Sequence, residues 1–237
     1  IQHKMNEYGR LHVPYLFVID FDVTQGFLVE NPLEQDRVLF RTPLGSNKKE
    51  KSVSWAGKTI EAFPADFADY KSGFDLVMEG FRQGKSELLN YTAKTAIQCA
   101  LSLEDIFYLS NSPFALYVPN RFVCFSPERF VRIENATIAT YPMKGTISAS
   151  TPNAREVILN DKKESAEHRS AVELLSHDLQ KVSNNVRVMK YRYIDEIPTT
   201  KGNILQVSSK IMGELTGDYL SKLGDIVFSM LPAGSIA

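Results

Sequence analysis

The stretch FSPERFVRIENATIATYPMKGT, Phe125 to Thr146, decides how the chain is read. Its two short runs of β-branched and apolar residues flank a turn near Asn135, the pattern of an antiparallel hairpin. The length of the loop determines what the two ends can do. A three-residue loop centred on Ala136 sets Glu128 opposite Lys144 on one face of the sheet. A two-residue loop shifts the register by one and sends them to opposite faces. Set opposite each other, they make either a cross-strand ion pair worth about 0.2–1 kcal/mol, or an acid/base beside a nucleophile at the mouth of a pocket. Gly145 would then let the backbone come close to a ligand.

Working upstream, "FALYV", a turn at Pro119-Asn120 and "RFVCF" extend an antiparallel meander. "PYLFVIDFDVTQGFLVE" reads as two strands about a turn at Gln25-Gly26. Residues 41–58 read as loop with one strand near Val53, and residues 86–98 alternate like a strand. Phe67, Tyr70, Phe74, Val77 and Phe81 recur at three-four spacing, one face of a helix that Gly84 ends, and this stripe is expected in the core. Ser102 to Asp105 resembles a capping box.

Downstream, Thr151-Pro152 opens a helix to about Val182, with proline at a permitted early position. "VRVMKYRYID" returns to strand, "ILQVSSKIM" is ambiguous, and "DYLSKLGDIVFSML" is helical. Strands and helices mix without strict alternation, which predicts an α+β fold with mainly antiparallel sheets and flanking helices. No repeat or linker divides the chain. A single domain over 1–237 is expected, with strands and loop over 1–66 and the core over 67–237.

The 237 residues are 43% hydrophobic and carry a formal net charge of −1, enough for a sizeable core and no electrostatic case for a polyanionic partner. The basic run Lys48-Lys49-Glu50-Lys51 is expected on a solvated loop. Two cysteines, Cys99 and Cys124, are too few for a disulfide framework or a cysteine-rich zinc site, so a reduced, cytoplasmic setting is expected. No apolar run approaches a membrane span. The start, "IQHKMNEYGR", has neither a signal-peptide apolar region nor an initiator methionine, as in a chain that begins inside a longer gene product.

On the long helix, Glu164 and Glu167 stand three apart, with His168 and Ala171 along the same face. Two carboxylates without cysteine suit a hard cation such as magnesium. Lys162, Lys163 and Arg169 around them equally suit a solvated helix face. His168 alone fits an exposed helix residue or a core residue.

Several motifs in order carry a resemblance. "FSPERFVRIENATIATYPMKGT" resembles the core signature of the chorismate-utilising enzymes, a Ser-Pro-Glu strand followed by Pro-x-x-Gly-Thr. "KKESAEHRSAVELLSHDLQKV" is similar to that family's next helix, "GFRQGKSELLNYTAKT" to its upstream passage, and "LGDIVFSMLPAGSIA" to its later Pro-Gly-Ser approach. Relatives that make anthranilate, salicylate or isochorismate usually carry alanine where Lys144 stands. The aminodeoxychorismate synthase component I branch carries lysine.

The resemblance implies the family's α/β sandwich and a set of roles. Lys144 would be the nucleophile that adds to the chorismate ring, and Glu128 the general acid/base. Gly145 and Thr146 would line the ring site, and Glu167, supported by Glu164, would hold Mg2+ against a substrate carboxylate. A glutamine amidotransferase partner would supply ammonia. Anthranilate synthase component I and an inactive chorismate-binding-like module are the competing readings. Three positions depart from the family pattern: Ile147 after Gly-Thr, Ser176-His177-Asp178 at the helix end, and Gln206 where a histidine is usual. The resemblance also implies strands and a helix beyond Ala237, with a further metal glutamate and carboxylate-binding cations. A chain ending there is expected to be C-terminally incomplete, inactive, and either unstable or held by another chain.

Overall fold

The computed structural model describes residues 1–86, 89–126, 128–199 and 201–233. In chain order the elements begin with α1 (Gln2–Leu11), β1 (Tyr15–Ile19), β2 (Gly26–Glu30), β3 (Leu39–Thr42), β4 (Gly45–Ser46) and β5 (Ile60–Phe63). Next come α2 (Phe67–Arg82), β6 (Ala96–Cys99), α3 (Leu103–Leu109), β7 (Phe114–Val118), β8 (Phe122–Ser126), β9 (Arg132–Glu134) and β10 (Thr137–Thr140). The chain continues through β11 (Met143–Ser148), α4 (Ala154–Asn160), α5 (Lys162–Gln180), β12 (Asn184–Ile197), β13 (Ile204–Glu214) and α6 (Leu223–Phe228). Every strand pairing is antiparallel. No helix among the described residues is long and apolar enough to cross a membrane.

The chain packs as two compact units, one formed by Ile1–Pro32 with Glu128–Ser235, the other by Leu33–Pro127. The second unit carries the sheet β4-β3-β7-β8 and the pair β5-β6. Its core is Phe107, wholly buried from α3 against Leu39 and Ala115. The capping box opens α3 as expected, with Ser102 Oγ accepting from the Asp105 amide at 3.0 Å and Asp105 accepting from the Ser102 amide. The basic run is not idle on its loop. Lys48 donates to the Tyr108 carbonyl, and Lys51 pairs with Glu104 and Asp105.

Several expectations need correction in this unit. Val53 lies in no strand, and the strand expected over 86–98 shortens to Ala96–Cys99, with residues 87 and 88 outside the described residues. The aromatic stripe does form one helix, α2, yet none of its residues is buried. Tyr70 stacks on Phe74 and meets Tyr91, while Phe67 stays 75% exposed. Periodicity marks a face fit for burial; whether the same unit covers it depends on long-range packing.

In the first unit the organising strand is β13. Its odd residues Leu205, Val207, Ser209 and Ile211 are buried; of the even ones Gln206, Lys210 and Met212 are half-exposed, while Ser208 is buried as well. β12 runs along one edge for the whole length, so β10 and β11 share the other edge in succession, with β9 outside β10. The meander of the sequence reading is therefore split, since β7-β8 and β9-β10 belong to different sheets. The α5 residues Val172, Leu175 and Leu179 pack on Ile138 and Ile211, with Ile226 and Met230 closing the cluster.

The helix expected to run unbroken from Thr151 is two helices. Asp161 leaves helical geometry, with ψ 119, and its carboxylate accepts from the Glu164 amide at 2.9 Å. A short polar side chain that bonds its neighbours' backbone ends one helix and caps the next. The turn placed at Gln25-Gly26 is also longer: Asp20 accepts from the Thr24 and Gln25 amides, and Gly26 already belongs to β2.

The opening residues, given no structure by pattern, form α1, which packs on α6. Asn6 and Gln2 donate to the Asp225 carboxylate at 2.9 and 2.8 Å and hold it below the usual carboxylate range, Asn6 contributing most. A depressed carboxyl stabilises the fold above its unfolded value of about 3.9 and loses that contribution as pH falls through the folded value. The urea midpoint should therefore drop more steeply below about pH 4 in the parent than in Asp225→Asn. Parallel curves for the two proteins would show that these bonds do not hold α1.

Candidate functional site

The hairpin loop between β9 and β10 is the two-residue form. Thr137 pairs with Glu134, and Asn135 and Ala136 both take positive φ, 50° and 55°, as a type I′ turn requires. The ladder stops at Arg132 and Ala139, and Glu128 lies ahead of β9 outside any strand, half-buried. Lys144 belongs to β11, whose partner is β13 and not β9.

β10 and β11 are nearly one strand. Thr140 faces Ile211 and Met143 faces Ser208, while the Ser209 amide bonds the Pro142 carbonyl at 3.0 Å between them. Register then slips between Met143 and Thr146, so Lys144 and Gly145 form a β-bulge. Bulges re-aim side chains and recur beside active sites. Gly145 takes φ 88, open to glycine and strained for other residues. A Cβ there would sit 3.1 Å from Glu164 Oε2, so the first turn of α5 lies directly over the bulge.

Gln206 on β13 holds the bulge along its edge. Its amide nitrogen donates to the Gly145 carbonyl at 3.0 Å, and its amide oxygen accepts from Thr146 Oγ1 at 2.5 Å. Both ends of one side chain are thus spent on two consecutive residues beside Lys144.

His168 lies under the same bulge, fully buried one turn along α5 from Glu164. Its Nε2 is 2.7 Å from Ser209 Oγ, which accepts from the Arg192 amide at 2.9 Å. Tyr191 meets the ring edge-on. Burial pushes the imidazole below its ordinary value, and the Arg192 charge adds to this; the Lys144 carbonyl facing the ring acts the other way. His168 is the core residue of the two alternatives.

Lys144, Gly145, Thr146 and Glu164 therefore gather at one place, held by Gln206 and underlain by His168. Glu167 diverges: it is exposed and pairs with Lys163 at 3.4 Å on the solvent flank of α5. Among the described residues no group of three or more His, Cys, Asp and Glu side chains is arranged to hold a metal ion. The donors at the start of α5 are carboxylate oxygens, the chemistry that a hard cation takes together with water and substrate oxygens. Gln206, Ser209 and Arg192 were not candidates from sequence.

A family profile described as chorismate binding enzyme matches residues 28–237. An uncharacterised PabA-like protein of Haemophilus influenzae is 42% identical over 99% of this chain and 71% of its own length. Aminodeoxychorismate synthase component 1 of Bacillus subtilis is 29% identical over 76% of this chain and 40% of its own length. The menaquinone-specific isochorismate synthase MenF of Escherichia coli superposes with a TM-score of 0.67 at 15% identity, over 98% of this chain. The chain spans 60% of that solved protein.

Proposed function

The chain belongs to the chorismate binding enzyme family, and on that premise we propose that it converts chorismate and ammonia to 4-amino-4-deoxychorismate as a component I type synthase. The observation that carries this reading is Lys144 in a glycine-relieved bulge beneath Glu164. Likeness to the Bacillus enzyme supports it. The setting is the cytoplasm, in para-aminobenzoate and folate biosynthesis, and a glutamine amidotransferase is the ammonia donor.

In this mechanism the neutral amine of Lys144 adds to the chorismate ring as the ring hydroxyl departs. Glu128 gives that oxygen a proton, so it leaves as water. Ammonia then bonds to the carbon the hydroxyl left, the lysine is expelled, and Glu128 takes up the surplus proton. The balance is chorismate plus ammonia giving aminodeoxychorismate plus water. Gly145 lets the ring approach the backbone, and Thr146 is fixed by Gln206 on the rim of the site.

Bound Mg2+ would neutralise a substrate carboxylate and orient the ring. Glu164, which lies over the bulge, and Glu167, which would give up its pair with Lys163, are the residues we assign to it. Glu164→Gln and Glu167→Gln should each raise the magnesium concentration for half-maximal rate about tenfold or more, since a hard cation loses a charged ligand at nearly constant volume. A magnesium titration matching the parent's would return that residue to the role of helix-surface charge.

The test of the function is product identity. The full-length protein, given chorismate, ammonium and magnesium, should accumulate aminodeoxychorismate, separable by chromatography and mass. Anthranilate or isochorismate as the main product would overturn the reading.

A further inference from the structure

We propose that His168 is a positioning residue for Lys144, its Nδ1–H being the donor on which the Lys144 carbonyl closes. This rests on the nucleophile role proposed for Lys144. The argument begins with the single proton of Ser209. Its Oγ accepts from the Arg192 amide and stands 2.7 Å from His168 Nε2. A hydroxyl that already accepts from an amide has its own proton to give, and the unprotonated ring nitrogen is the base within reach. Nε2 therefore accepts, and a neutral imidazole must carry its proton on Nδ1.

That Nδ1 is sealed from solvent and, among the described residues, has no partner at hydrogen-bonding geometry. A buried donor left open is costly, and native structures rarely keep one without a use. The group that faces the ring from β11 is the Lys144 carbonyl. Gly145 follows it with φ 88, so rotation of the intervening peptide meets no Cβ. Gln206 fixes the Gly145 carbonyl. Two consecutive carbonyls of the bulge, the first taken by His168 and the second by Gln206, define how the Lys144 Cα–Cβ bond points. Ser209 is fully buried and committed to the backbone, so the pair is no hydrolytic dyad.

Three substitutions separate this role from mere core filling. His168→Phe keeps a ring and removes both nitrogens. His168→Asn retains an amide N–H near the Nδ1 position, and His168→Gln retains one near Nε2. His168→Phe and His168→Gln should lose about ten- to a hundredfold in kcat, as expected when a reacting group is misplaced by an ångström or less, with KM for chorismate within about twofold. His168→Asn should recover most of the loss. Equal losses in all three, or losses that follow the melting temperature, would overturn the proposal. The wild-type ring is decisive where a variant does not fold. Long-range nitrogen–proton correlation should show the Nδ1-protonated tautomer, and the Nε2-protonated form would end the argument. Failure of the proposed function would show separately, as a different product from the unsubstituted protein.

Discussion

Lys144→Ala in the full-length protein should lose at least about a thousandfold in aminodeoxychorismate formation while still binding chorismate, the signature of removing a group that acts only in the chemical step. The bulge itself should survive. The bonds from Gln206 to the Gly145 carbonyl and the Thr146 hydroxyl, and from the Ser209 amide to the Pro142 carbonyl, do not depend on the lysine side chain. Stability should therefore stay within about 1 kcal/mol of the parent, as for a substitution that opens no core cavity. Calorimetric titration with chorismate checks binding, and a fixed-time assay at saturating ammonium and magnesium checks turnover. Intact-mass measurement of the parent, quenched without ammonia, should add a chorismate-minus-water adduct on the peptide containing Lys144. Undiminished turnover in the variant would remove the nucleophile from the mechanism.

Gly224→Ala should be among the most destabilising single-methyl additions the chain can take. A Cβ at Gly224 would lie 2.1 Å from the Gln2 carbonyl oxygen, a distance real Cβ atoms essentially never show. Across the same contact, a Cβ at Gly9 would lie 2.0 Å from the Leu220 carbonyl oxygen. Helix backbones meet there without side chains between them, so α1 must move away. In moving it stretches the 2.7 Å bond from the Gly224 amide to Asn6 Oδ1 and those from Gln2 and Asn6 to Asp225. Overpacking plus lost hydrogen bonds predicts about 2–4 kcal/mol. Gly80 in α2 is the control: nothing lies within 4 Å of its Cβ position, so Gly80→Ala should gain about 1 kcal/mol from helix propensity. Denaturant midpoints measure both. Amide exchange should show α1 deprotected in Gly224→Ala; unchanged protection there would mean that the helices part without consequence.

The pairing of β9 with β10 could be read from Val131, Ile133, Thr137 and Ile138, because β-branched residues suit a pleated surface whatever lies around it. Its register could not, since it depends on Ala136 adopting a left-handed conformation that alanine seldom takes and no pattern announces. Asn160-Asp161 did carry a readable stop, one masked by the helical periodicity on both sides. α1 was invisible for a different reason: it is ten residues held by tertiary contacts to α6, and short helices owe their stability to packing more than propensity. Lys144, Gly145 and Thr146 stood out as a motif and Glu164 by its spacing, but the bulge that brings them together did not. Gln206, Ser209 and Arg192 act through strand parity and bulges on β11 and β12. Two adjacent serines blurred the alternation of β13, so the side that meets α5 emerged only with the fold.

The division into two units sets an order of assembly during synthesis. Residues of the second unit form one continuous segment and close their own core around Phe107. Those of the first come from both ends of the chain, and Asn6 meets Asp225 across 219 positions. Contacts of such separation form slowly, because a long loop must be closed before they return any free energy. A ribosome would thus release a finished inner unit while α1 still lacks its partner helix. The stretch from Ile1 to Pro32 must wait through the making of β13 and α6. Refolding from denaturant should accordingly show Phe107 protected early, and α1 and α6 together in the slowest phase.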